Sequence, residues 1–316
     1  MALSGHLWTI GPRLHHALRA ETAPAARPWK GVVKDPRVGT VPLTGFYREK
    51  QGGKGLLIVL HGLGGSAMSY YALRAASAAE KASLSCLRLN LRGADGSGED
   101  FYHAGLTEDL EAALESPEAL AHRDIFVLGF SMGGHLAIRY ACLHPGSRVK
   151  GVAAVSSPLD LAACADWLDR PAAWLYRRYI LHSLVAMAGQ LAEKRRLPCP
   201  IEKVRAIDSI RAFDDAVVAP RHGFTSASDY YAKASAGPLI GELKVPALLL
   251  LSKDDPMVPP HSAAPYLGQN HKLLDFRWTG QGGHVGMPRN LQVGITQAPP
   301  GIEGQAIGWL LARRAP

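Results

Sequence analysis

Ser131 lies in GFSMGG, residues 129–134, between glycines and where an apolar run gives way to a helix-like pattern. A serine hydroxyl is a weak nucleophile at neutral pH. It attacks a carbonyl carbon only when a base takes its proton and a third group orients that base. The chain supplies such groups far downstream, Asp255 in SKDDPMVPP and His284 in GQGGHVG, which gives the order nucleophile, acid, base. The acid has alternatives, because Asp254 is adjacent and Asp160 follows an earlier strand, and one residue changes where a side chain points. Acyl transfer also develops an oxyanion, for which one aimed donor contributes on the order of 3 kcal/mol. The backbone N–H of Met132, next after the serine, is one candidate donor, and Leu63 in HGLGG is the other. His61, beside that loop, reads as a ring that fixes it.

Those residues need elements that bring them to one place. Leu56–His61, Ser83–Leu91, Asp124–Phe130, Val149–Ser157, Pro246–Ser252 and Lys272–Thr279 are short apolar runs that read as strands. Helical patterns at Ser69–Lys81, Thr107–Leu114, after Ser131, at Ser262–Leu267 and at Gly304–Arg313 alternate with them, Thr107 being placed to cap its helix. Alternation of this kind implies an α/β fold with a mostly parallel, doubly wound sheet. In such sheets ligands gather at the carboxyl ends of the strands, where HGLGG, Ser131, Asp255 and His284 all fall. The rhythm stops after Pro158, and the text to about Pro238 is helical and aromatic. Residues 1–158 and 239–316 therefore read as one core, with 159–238 a helical cap inserted over the strand ends. Trp167, Trp174, Leu175, Ile180, Leu181, Leu184 and Val185 can line an acyl pocket or simply pack the cap.

Composition narrows the partners. With 316 residues, 47% hydrophobic and 20% charged, the chain is long enough for a large core and ordinary for a globular protein. The net charge of +8 comes from scattered Arg and Lys, and the densest patch, Glu193–Arg196, reads as a solvated face, as do Arg177 and Arg178. No basic stripe with stacking aromatics is present, so nucleic acid is not an expected partner. Cys86, Cys142, Cys164 and Cys199 show neither CxxC pairs nor zinc spacing and read as free thiols of a reducing, cytoplasmic compartment. The N-terminus lacks a signal-peptide pattern, and no stretch reaches the ~20 apolar residues of a spanning helix, so stable membrane insertion is not expected. Composition is silent on oligomeric state.

Taken together, HLWTIGPRL, HGLGGS, NLRGADGS, FYHAGLTEDL, GFSMGGHLAIRYA, SSPLDL, GFTSASDYY, SKDDPMVP and GGHVG resemble the YheT-like branch of the α/β-hydrolase superfamily. That branch is related to animal membrane-tethered esterases. The Asp255-Pro256-Met257-Val258-Pro259 segment resembles the acid loop of many such hydrolases and favours Asp255. The resemblance implies hydrolysis of short- to medium-chain carboxylic esters by Ser131, Asp255 and His284, without metal or organic cofactor. A small-molecule ester is then the expected partner, since no anchor like that of the tethered relatives is read here. Arg92, Tyr102 and His103 mark the family and are expected to pack. A thioesterase or acyltransferase with the same triad, and a non-catalytic binding protein on this fold, are the alternatives.

Overall fold

The near-continuous apolar runs become a sheet buried on both faces. A computed structural model describes residues 3–268, 271–295 and 298–314. Its eight strands are β1 (Arg27–Asp35), β2 (Gly39–Arg48), β3 (Leu56–Leu60), β4 (Ser85–Asn90), β5 (Ile125–Phe130), β6 (Val149–Val155), β7 (Ala247–Ser252) and β8 (Leu274–Thr279). They lie in the order β1-β2-β4-β3-β5-β6-β7-β8. From β4 to β8 every pairing is parallel, while β1, β2 and β4 pair antiparallel. Strands β3 to β7 are buried throughout except at Lys150, as sheets covered on both sides require.

Thirteen α-helices are described: α1 (Leu3–Leu18), α2 (Tyr70–Lys81), α3 (Glu108–Leu114), α4 (Pro117–Leu120), α5 (Met132–Leu143), α6 (Leu161–Leu168), α7 (Trp174–Glu193), α8 (Ile201–Arg205), α9 (Ile210–Phe213), α10 (Ala219–His222), α11 (Ala227–Ala234), α12 (Ala264–Leu267) and α13 (Ile302–Leu311). Helices α2 and α13 pack into the core on one face of the sheet. Helices α3 and α5 pack into the core on the other, which extends into α6–α9 and α11, and no described residue of that insertion forms a strand. None of the described helices is long and apolar enough to cross a membrane.

Several expectations shift. The final strand, read from Lys272, begins at Leu274; the helix read at Ser262–Leu267 is α12 alone after a 3₁₀ turn at Pro260–Ser262; and α13 starts two residues early. Thr107 stands at the start of α3, yet its hydroxyl makes no cap bond and instead meets His144 Nε2 at 3.2 Å. The Glu193–Arg196 patch is not merely solvated, because Lys194 and Arg196 both hold Glu99, the latter at 2.8 Å. Arg177 caps the end of α6, donating to the carbonyls of Leu168, Asp169 and Arg170, whereas Arg178 is exposed. Arg92 does more than pack. Its buried guanidinium meets Asp35 at 2.6 Å, Asp109 at 2.7 Å and Asp100 at 3.3 Å, tying β1 and α3 to the loop after β4.

Candidate active site

Chain order places β4 on one side of β3 and β5 on the other, so the loops after β3 and β5 part at a switch point where ligands collect. Ser131 occupies the bend between β5 and α5. Its φ of 53° and ψ of −121° lie where L-residues are strained, a conformation kept only when its surroundings impose it. Here the Ser131 N–H donates to Val155 O at 2.8 Å, and its carbonyl accepts from the His135 N–H at 3.0 Å. The bend is tight enough that a Cβ on Gly129 would stand 2.2 Å from Gly133 O. The small neighbours that the sequence pattern called for are thus a steric need.

His284 Nε2 lies 2.9 Å from Ser131 Oγ. Its Nδ1 faces Asp255 at 3.0 Å to Oδ2 and 3.2 Å to Oδ1, so the geometry assigns the ring proton to Nδ1 and the lone pair to the serine side. Asp255 is itself held, because Oδ1 accepts the N–H groups of Met257 and Val258 at 2.8 and 2.9 Å. Asp254 turns away and accepts from the Ser4 hydroxyl at 2.9 Å. Asp160 is engaged elsewhere: it caps α6 through the Ala163 N–H and accepts from Tyr266. All three triad candidates therefore converge, and the two alternative acids do not.

Leu63 and Met132 line the same cavity as Ser131 and His284. In the loop after β3 the N–H groups of Gly62, Gly64, Gly65, Ser66 and Ala67 are bonded to Tyr71, Tyr102, Gly62 O, Ser69 and Asn90 respectively. Leu63 is the residue of that stretch whose amide those bonds leave open. Met132 begins α5, and a first-turn N–H has no intrahelical acceptor and sits at the positive end of the helix dipole. Tyr102 thus braces the loop rather than simply packing. His61 braces it too, donating from Nδ1 to Gly62 O at 2.8 Å and accepting the Leu91 N–H on Nε2 at 3.1 Å. Complete burial pulls His61 down to about 4, which keeps that ring neutral.

The histidine loop has supports that the sequence reading passed over. The His284 N–H donates to Thr9 Oγ1 at 2.8 Å, and Thr9 in turn donates to Gly5 O, so α1 lies directly against the base. Val285, at φ 54°, donates to Ser156 Oγ at 3.0 Å, and Ser156 itself has φ 51°. HLWTIGPRL was visible as a motif, but nothing local said that its threonine would meet a residue 275 positions away.

The cavity holds about 160 Å³ and is walled by Leu161, Leu168, Ile180, Leu184 and Val218, among others. Of the seven insertion residues considered for such a wall, only Ile180 and Leu184 face it. Trp174 and Leu175 are exposed, Trp167 donates to Pro256 O beside Asp255, and Leu181 is buried in packing. Cys164 also lines the cavity, but burial pushes its thiol up to about 12, which leaves it a poor rival nucleophile.

Comparison with known proteins follows the same lines. The solved esterase Pf2001 of Pyrococcus furiosus superposes with a TM-score of 0.58 over 92% of each chain at 17% identity, a likeness of fold. Phospholipase ABHD3 of Homo sapiens is 28% identical over 239 residues, 73% of this chain but 58% of that protein. YheT of Escherichia coli (strain K12), provisionally named an esterase, is 33% identical over 240 residues, 73% of this chain and 69% of its own. The profile of the alpha/beta hydrolase fold matches residues 55–286, from the first strand of the parallel core to the loop carrying His284. The chain belongs to the α/β-hydrolase family, in the branch that contains YheT.

Proposed function

We propose that the protein is a serine esterase that cleaves carboxylic esters with short to medium acyl chains through an acyl-enzyme on Ser131. The observation that carries this reading is the unbroken line from the Asp255 carboxylate through the His284 ring to Ser131 Oγ, with contacts of 3.0 and 2.9 Å. As Oγ bonds to the ester carbon, Nε2 takes its proton, and the carbonyl electron pair moves onto oxygen before the N–H groups of Leu63 and Met132. Asp255 holds the ring's tautomer and stabilises the imidazolium. Collapse breaks the ester C–O bond, and the alcohol leaves with the proton from His284. Water repeats the sequence on the acyl-enzyme and releases the acid.

Cavity size supports the shorter acyl chains. An apolar cavity of roughly 150 Å³ holds a benzene-sized molecule, and this one is of similar volume. Residues 159–238 act as the cap, since α6 and α7 supply much of the wall. Four free cysteines, three of them buried, fit a cytoplasmic setting. A fluorophosphonate probe should label Ser131 covalently, and a chromogenic short-acyl ester should release its alcohol in a burst. Ser131→Ala should abolish both; unchanged turnover in that variant would refute the proposal, and a clear preference for the matching thioester would redirect it to a thioesterase.

A further inference from the structure

The cavity beside Ser131 is not apolar throughout, for His103, Asp214, Tyr230 and Tyr231 also line it. Asp214 begins a π-helical turn, Asp214–Val218, between α9 and α10, an irregularity often found at binding sites. Tyr231 donates to Asp214 Oδ2 at 2.5 Å, and Oδ1 has no hydrogen-bond partner among the described residues. His103 is similarly half-committed. Its Nδ1 accepts the Gly105 N–H at 3.0 Å, which puts the ring proton on Nε2, and that N–H also has no partner among the described residues. Tyr230 has its ring 5.5 Å from that of His103 and 5.3 Å from that of Tyr231, the tyrosine that holds Asp214, and its oxygen already accepts the Ala104 N–H.

Polar atoms in so buried a place carry a desolvation cost unless something pairs with them. Here the cavity lining includes both an N–H donor, from His103, and a carboxyl oxygen, from Asp214. Burial raises Asp214 to about 7 and holds His103 well below its ordinary value, so neither of these two side chains is a cation or a firm anion near neutrality. Arg13, bonded to Tyr179, also lines the cavity, and a hydroxyl can accept from His103 or pair with Asp214 in either protonation state.

We propose that His103 and Asp214 form a hydroxyl-binding subsite, so that the preferred substrate carries an alcohol group some atoms away from the scissile ester. The inference rests on the reading of this cavity as the ester site. The hydroxyl can belong to either half of the substrate, the acyl chain or the alcohol.

The test is equilibrium binding to Ser131→Ala, which turns nothing over and so does not depend on the fate of the serine. One arm titrates alkyl esters of ω-hydroxyalkanoic acids against plain alkanoates of matched length. The other titrates monoesters of alkanediols against esters of simple alkanols. In one arm the hydroxylated ligand should bind on the order of tenfold more tightly at its best chain length. Asp214→Leu in the Ser131→Ala background should bring that ratio to about one, and His103→Leu serves as an independent second variant should the first fail to fold. Equal affinities in both arms at every length overturn the subsite. Loss of Ser131 labelling by the fluorophosphonate would overturn the esterase mechanism, while the binding ratio would still decide the subsite on its own.

Discussion

Asp254 and Asp255 are neighbours whose carboxylates serve different ends, one holding Ser4 and the other His284. Asp255→Asn keeps the shape but presents the wrong partner to Nδ1, and the loss expected for such a change is about 10⁴-fold in kcat. Asp254→Asn should stay within about threefold of the parent. Steady-state turnover of a chromogenic ester by both variants, with circular dichroism to check folding, makes the comparison, and the opposite ranking would move the acid to Asp254. The nucleophile position could be read because its constraint is local, a serine on a bend that admits no bulk at Gly129. The choice of carboxylate depends instead on how the loop after β7 turns the Asp255 oxygen onto the N–H groups of Met257 and Val258, which spacing alone leaves open.

At the scale of elements, α1 straps the site. His6 meets Tyr176 of α7 at 2.5 Å, Arg13 bonds Tyr179, and Thr9 holds the His284 N–H, so one helix touches both the insertion and the base. Thr9→Val removes the acceptor while keeping the shape. It should lower kcat about tenfold with little change in KM, whereas Thr9→Ser should retain most of the rate. If Thr9→Val falls only in thermal stability, the threonine packs the helix and does not position the base. This strap was hard to foresee. Gly5, Gly11 and Pro12 are poor helix formers, and its Leu3, Leu7, Leu14 and Leu18 face solvent. It docks through Gly5, where a Cβ would stand 1.8 Å from Asp254 O, rather than through an apolar stripe. The hairpin of β1 and β2 escaped notice for a related reason. It alternates exposed and buried residues at the sheet edge, a weaker signal than the unbroken apolar runs of β3 to β7 that revealed the parallel core.

Across the whole molecule, buried histidines link stability to the loop that faces the ester. Burial lowers both His61 and His222 to about 4, from an ordinary value of 6.5. Neither can take a proton cheaply. A proton on His61 Nε2 would confront the Leu91 N–H, and His222 Nε2 is sealed with no hydrogen-bond partner among the described residues. Because the folded values lie below the unfolded ones, the unfolded chain binds more protons between these limits, so stability is full above about pH 6.5 and declines as pH falls toward 4. Each histidine contributes ~3 kcal/mol over that window. Urea unfolding at pH 7.5, 6, 5 and 4.5 should therefore show a steady loss that begins before most carboxylates titrate. His61→Gln should flatten part of the slope, since an amide can still donate to Gly62 O and accept the Leu91 N–H but does not titrate, while His222, His103, His135 and His122, which burial also lowers, keep the rest. A parent profile that is level from pH 6.5 to 5 would mean that these rings are already open to solvent. The bracing of the HGLGG loop by a neutral His61 would then have to be abandoned.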